Sequence, residues 1–185
     1  MEFSTKAKKV HSGILFDVYQ WEQKMFDGST ETFERLTRVP SVEIIATDGK
    51  HIITIVQEQP AREGPYPSLP GGRIDPGEEP MVAAKRELLE ETGYTAEEFI
   101  LWKTYTGTSK IKFKEYIFIA KGLKKISNIK EDAGEKITVK LLSFDELMSL
   151  CRVPSFTASM FLKFEMYEML LDEKKRQIFY HEIYG

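Results

Sequence analysis

The chain has 185 residues, 42% of them hydrophobic, enough for one domain with a real core and a short appendage. Its 29 acidic and 26 basic residues leave a formal charge of −3, without the basic excess of a general nucleic-acid or membrane-surface binder. Cys151 is the only cysteine, which excludes an intramolecular disulfide, and His11, His51 and His181 lack zinc-like spacing. The opening MEFSTKAKKVHSG carries no apolar signal-peptide run, and no stretch is long enough to span a bilayer. The expected setting is the cytoplasm, with neither nucleic acid nor membrane as partner.

In chain order, Ile14–Met25 and Thr30–Val39 read as two strands joined by the turn Phe26-Asp27-Gly28-Ser29. Tyr19 and Trp21 on the first could be core, subunit interface or a base-stacking surface. Val42–Thr47 and His51–Val56 flank Asp48-Gly49, a strong hairpin signal, and Ile52–Val56 is apolar on both faces, as in a strand covered from both sides. Gln57–Pro70 reads as a proline-rich break, in which Arg62 is either a substrate contact or a solvated side chain.

A helix is expected from about Glu79-Pro80, with proline in the first turn and acids favoured by the dipole, to Gly93 as left-handed terminator. Glu87, Glu90 and Glu91 share one of its faces, while Met81, Val82, Leu88 and Leu89 fall on the opposite arc. Three clustered carboxylates repel, and a divalent cation would resolve the repulsion. Strands follow at 99–105, 111–120 and 137–142, the last two separated by a polar segment, 121–136. Ser143-Phe144-Asp145-Glu146 matches a capping box, and Ser155–Asp172 supports a longer helix whose core stripe is Met160, Phe164, Tyr167 and Leu171. The final fourteen residues are too short to interpret.

Counting the central stretch gives Gly72, five residues, Glu78, seven residues, Arg86-Glu87-Leu88-Leu89-Glu90-Glu91-Thr92-Gly93-Tyr94. This resembles the signature box of the Nudix hydrolase family, with every fixed glycine, glutamate and arginine present and Tyr94 at a position that is usually aliphatic. The resemblance implies an α/β fold, an α/β/α sandwich around a mixed β-sheet, here residues 41–185, preceded by a small N-terminal β-hairpin extension, 1–40. It implies hydrolysis of a nucleoside diphosphate linked to a group X with Mg²⁺ or Mn²⁺ as cofactor. Glu87, Glu90, Glu91 and the Gly71 carbonyl would hold the metal, with Glu87 and Glu91 central to catalysis. Arg86 and Glu78 would orient them.

The resemblance implies that a general base outside the box assists; of the loop acids Glu131, Asp132 and Glu135, the last leads into an Ile-x-Val strand that resembles that of related ADP-ribose pyrophosphatases and is the choice. That branch is further resembled by Gln57-Glu58-Gln59, Arg62 and Leu69-Pro70-Gly71-Gly72. Ser68 stands where it commonly has glutamate, and Tyr105–Ser109 lacks its usual proline. In the branch the N-terminal strands pair two subunits and adenine stacks on aromatics there, making a homodimer the expected state and Trp21, Arg35 and Arg62 the candidate substrate contacts. ADP-ribose or a nucleotide sugar is the expected substrate, cleaved to release a nucleoside monophosphate. Another nucleotide or dinucleotide diphosphate, and a non-catalytic nucleotide sensor, remain alternatives.

Overall fold

In the computed structural model, which describes residues 4–107, 109–130 and 134–185, the turns at Asp27-Gly28 and Asp48-Gly49 both close hairpins. The chain packs as two compact units, one formed up to Pro40 together with Tyr105–Glu115, the other by Ser41–Thr104 with Tyr116–Gly185. The first unit starts with β1 (Lys8–Ser12), a strand hidden in what reads as a polar leader. It pairs antiparallel with β2 (Phe16–Lys24), which pairs with β3 (Thr30–Arg38) from Phe16↔Arg38 to Lys24↔Thr30. Asp27 closes the turn by accepting the Ser29 amide at 2.9 Å.

The second unit begins with β4 (Ser41–Thr47) and β5 (Ile52–Glu58), joined by a turn in which Asp48 accepts the amides of Lys50 and His51. The break expected over Gln57–Pro70 is partly ordered: β5 runs to Glu58, and β6 (Tyr66–Ser68) pairs back onto it. Next, β7 (Gly71–Arg73) lies antiparallel on β4 and feeds α1 (Pro80–Thr92). Pro80 opens the helix and Gly93, at φ 75°, closes it, as expected. The first turn itself holds no acid; Glu79 is the N-cap.

Beyond α1 come β8 (Tyr94–Thr95), β9 (Glu98–Thr106), β10 (Ile111–Lys112), β11 (Lys114–Lys121), β12 (Lys124–Lys125) and β13 (Lys136–Leu142). The strand expected over 111–120 is split at Phe113; its first piece, β10, joins β3 in parallel and makes the smaller sheet mixed, ordered β1-β2-β3-β10. The larger sheet runs β13-β5-β4-β11-β9, with β6 on β5 and β7 on β4. Within the segment expected to be irregular, β12 pairs with β8. The chain ends with α2 (Phe144–Leu150), α3 (Met160–Leu171) and α4 (Glu173–Tyr184). Ser143 and Glu146 form both hydrogen bonds of the capping box.

Successive residues of β4 face opposite ways, and both sets are buried. Val42, Ile44 and Ala46 pack with Ala83, Ala84 and Leu88 of α1 and with Phe118 and Ala120. Ile45 has the other parity and is equally buried, with α4 against β4 and the Trp102 and Phe179 rings 4.9 Å apart. Helices therefore cover both faces, giving the α/β/α layering. Among the described residues no helix is long and apolar enough to cross a membrane.

Two helical faces differ from expectation. In α1 the interior is met by Ala83, Ala84, Leu88 and Thr92, while Met81 and Val82 in the first turn are exposed. In α3 the expected stripe of Met160, Phe164, Tyr167 and Leu171 is exposed, and Leu162, Met166 and Met169 are buried. The sequence MFLKFEMYEMLL is apolar almost all round, so periodicity leaves two faces open. The start of the helix selects one. Ser159 caps the Leu162 amide, and its own amide donates to Glu43 Oε1 at 2.7 Å.

Candidate active site

Two glycines set the geometry. A Cβ at Gly71 would lie 2.3 Å from the Val42 carbonyl oxygen, and one at Gly72 would lie 2.4–2.8 Å from the Glu87 carboxylate atoms. Glycine at 71 lets β7 lie this close to the β4 backbone, and glycine at 72 leaves room for the Glu87 carboxylate where it stands. The approach is secured by a hydrogen bond, for the Gly71 amide donates to Glu91 Oε2 at 2.8 Å. At the far end, the Gly93 carbonyl accepts the amides of Ile126 and Ser127, tying the helix terminus to the following segment.

Arg86 organises the acids. Its Nε and Nη2 donate to the two oxygens of Glu78 at 3.0 and 2.9 Å, a bidentate pair. Nη2 also donates to the Arg73 carbonyl at 2.9 Å, and Nη1 to Glu87 Oε1 at 2.8 Å and Glu90 Oε2 at 3.3 Å. Glu78 additionally accepts the Asp75 amide at 3.0 Å. The guanidinium holds the Glu78 carboxyl below the usual range, and the surrounding carboxylates, Glu78 first, raise the arginine further.

Glu87 and Glu91 shift the other way. Burial raises both, and Glu91 reaches about 8, against the lowering effect of the Gly71 amide. Glu87, Glu135 and Glu90 add to the rise at Glu91 through their charges, so these four acids share one electrostatic field. Among the described residues no three such side chains converge on a common metal position, and Arg86 engages both Glu87 and Glu90. The donor chemistry nevertheless fits a hard divalent cation: half-buried carboxylate oxygens in mutual repulsion that a cation would relieve.

The remaining expected residues fall in different places. Glu135 accepts from Gln59 Nε2 at 2.7 Å, which brings it to the end of β5; Glu131 and Asp132 lie outside the described residues. Arg62 stacks 3.7 Å above the Tyr66 ring and donates to Thr157 Oγ1 and, at 2.9 Å, to the Ser155 carbonyl, so its fork is turned onto the loop before α3. Trp21 and Arg35 belong to the first unit. The indole is 7% exposed, packed 5.9 Å from Phe33 with the Arg35 guanidinium 5.5 Å from its ring. Arg35 also lines a cavity of about 440 Å³ in that unit with Tyr19, Arg38, Lys112 and Phe113.

Gln57 and Gln59 enter the sequence reading only as part of a family resemblance, with no site role, and Tyr66 is not singled out there. Gln57 is buried, donates to Ser68 Oγ at 2.9 Å and accepts from Tyr66 Oη at 3.1 Å. The available signal was polar glutamines continuing the parity of Ile53 and Ile55 out of an apolar strand.

The NUDIX domain family matches residues 37–164. The chain is 29% identical over 154 residues to an ADP-ribose pyrophosphatase of Bacillus subtilis (strain 168), covering 81% of this chain and 83% of the relative. It is 30% identical over 151 residues to a methanol dehydrogenase activator of Bacillus methanolicus, covering 80% and 81% respectively. A crystal structure titled an ADP compounds hydrolase superposes with a TM-score of 0.71 at 24% identity, covering 92% of this chain and 94% of that one, a likeness of fold. With the glycine–glutamate helix, the bidentate Arg86 brace and a family match over most of its length, this chain belongs to the Nudix hydrolase family.

Proposed function

We propose that the protein hydrolyses the diphosphate linkage of a nucleoside diphosphate joined to X, with ADP-ribose or a nucleotide sugar as substrate and Mg²⁺ or Mn²⁺ as cofactor. The observation that carries this reading is Glu91: a half-buried carboxyl raised to about 8, on one field with Glu87, Glu90 and Glu135, bonded to a glycine backbone. Such an arrangement is costly without a cation and useful with one. Similarity to the ADP-ribose pyrophosphatase of Bacillus subtilis supports the substrate class.

In this reading Glu87, Glu90, Glu91 and the Gly71 carbonyl hold the metal. A divalent ion held by them would supply positive charge to the diphosphate and would make an attacking water more acidic. Arg86, braced by Glu78, keeps Glu87 and Glu90 in place. Glu135 takes a proton from the attacking water, whose oxygen bonds to phosphorus as the bridging P–O bond breaks and a nucleoside monophosphate leaves. The first unit's own cavity, lined by Arg35, Arg38, Lys112, Tyr19 and Phe113, carries cationic and aromatic side chains of the kinds that hold a phosphate and a base. Exposed Val10, Ile14, Leu15 and Phe26 in the same unit favour a homodimer, checked by light scattering on the purified protein.

The deciding experiment is a panel of ADP-ribose, ADP-sugars, UDP-sugars and dinucleotide diphosphates with Mg²⁺, analysed for products. Nucleoside monophosphate should appear, vanish with EDTA and return with excess Mg²⁺. Cleavage confined to another diphosphate would overturn the substrate. Tight binding without turnover of any compound would favour a sensor.

A further inference from the structure

Residues Lys136 and Glu58 form the terminal pair of the β5–β13 ladder, which continues without a break to Leu142↔Ile52. Extending that antiparallel register by one step sets Glu135 opposite Gln59. There the backbone ladder gives way to a side-chain bond, Gln59 Nε2 donating to Glu135 Oε1 at 2.7 Å. Beside it, a Cβ on Gly134 would lie 3.3 Å from the Pro60 ring, so the two chain segments are also in close contact next to the bond.

A glutamine amide can present either its oxygen or its NH₂ group, and only the second attracts a carboxylate. The carboxylate of Glu135, which only accepts, fixes the choice, and the same polarity runs on into the protein. Gln57 Nε2 donates to Ser68 Oγ at 2.9 Å, so Gln57 Oε1 faces the other way and accepts from Tyr66 Oη at 3.1 Å. All three residues are buried. The same oxygen receives Gln59 Nε2 at 3.4 Å, drawing the Gln59 NH₂ group, rather than its carbonyl, to this side. The second proton of that NH₂ then reaches Glu135. A reversed Gln59 would oppose oxygen to oxygen at both contacts.

We infer that Gln59 is a positioning residue for Glu135, its NH₂ group bridging the carboxylate to the buried Gln57 amide oxygen so that the acid is held at the mouth of the β5–β13 ladder. The inference rests on the assignment of Glu135 as base under the proposed function. The acid's charge is felt at Glu91, so its placement matters to the metal-binding face as well.

The test compares Gln59→Leu, Gln59→Glu, Glu135→Gln and the double variant Gln59→Leu/Glu135→Gln with saturating Mg²⁺ and the panel diphosphate that wild type cleaves fastest. Glu135→Gln should lower kcat by roughly 100-fold, as expected for loss of a general base. Gln59→Leu should lower kcat about ten-fold with KM changed less than about two-fold, one charge-assisted hydrogen bond being lost. Gln59→Glu should be worse than Gln59→Leu, and the double variant no worse than Glu135→Gln alone. A Gln59→Leu enzyme with wild-type kcat, or effects that multiply in the double variant, overturns the positioning role while leaving the base intact. A fully active Glu135→Gln overturns the base assignment and this inference together. One readout needs no turnover: the Gln59 side-chain NH₂ resonances, identified by their loss in Gln59→Leu, should shift in Glu135→Gln. Unmoved resonances overturn the contact.

Discussion

The Gly71 amide donates to Glu91 Oε2 at 2.8 Å, so the strand and the helix of the site are joined through a carboxyl that burial raises to about 8. Its folded value lies above its unfolded value of 4.5, so the native state binds the extra proton between these limits. Stability of the metal-free protein is therefore full below about pH 4.5 as regards this group and declines as pH rises towards 8. The loss is on the order of 3–5 kcal/mol. Thermal unfolding in EDTA should show this slope, and Glu91→Gln should flatten it. Mg²⁺ should stabilise wild type most at the alkaline end and the variant hardly at all, with turnover abolished in the variant. A pH-independent melting temperature in EDTA between pH 5 and 8 would contradict the burial of this acid.

Gly72 and Gly71 should respond differently to alanine. At Gly72 the new methyl meets the far end of the flexible Glu87 side chain, which can swing aside. Gly72→Ala should fold with a melting temperature near wild type yet bind Mn²⁺ roughly 10- to 100-fold more weakly, as when a ligand loses its orientation. At Gly71 the methyl meets the β4 backbone, which cannot move without breaking the sheet. Gly71→Ala should lower stability by about 2 kcal/mol or more. Calorimetry and metal titration of the pair separate the two outcomes.

Arg86→Lys keeps the charge but not the fork. One ammonium cannot reproduce donation to Glu78, Glu87, Glu90 and the Arg73 carbonyl together. The lysine variant should resemble Arg86→Ala in kcat, both falling at least about ten-fold, with stability reduced by roughly 1–3 kcal/mol. Near-normal turnover in Arg86→Lys would mean that charge alone suffices.

The Gly72–Tyr94 unit was legible because its chemistry depends on residue type at fixed local spacing: glycine for close approach, acids and one arginine for the site, glycine for the helix stop. The hairpins were legible for the same reason, since Asp27-Gly28 and Asp48-Gly49 declare turns locally. What could not be read depends on distant partners. β6 forms within Tyr66-Pro67-Ser68 because β5 offers an edge, and β10 because β3 does. The approach of Gln59 to Glu135 spans 76 positions and follows only from the β5–β13 register. Arg62 reads in the sequence as either a substrate contact or a solvated side chain, and its engagement with Tyr66, Ser155 and Thr157 depends on partners that the local sequence does not name.

The face of α3 provides a further check, because its direction rests on where the helix begins rather than on periodicity. Ser159 fixes that start through its cap and through the bond of its amide to Glu43. Met166 is 1% exposed and Phe164 is 61% exposed, although the sequence nominates Phe164 for the core. Met166→Ala should cost about 2–5 kcal/mol, the range for emptying a buried apolar site, whereas Phe164→Ala should cost less than about 1 kcal/mol. For a chain of this size the first change lowers the melting temperature by roughly 5–15 °C and the second by less than about 4 °C. Ser159→Ala should cost about 1 kcal/mol through loss of the cap. If Phe164→Ala proved the more damaging of the two core tests, the helix would have the other phase, and the anchoring of its first turn by Ser159 and Glu43 would have to be wrong.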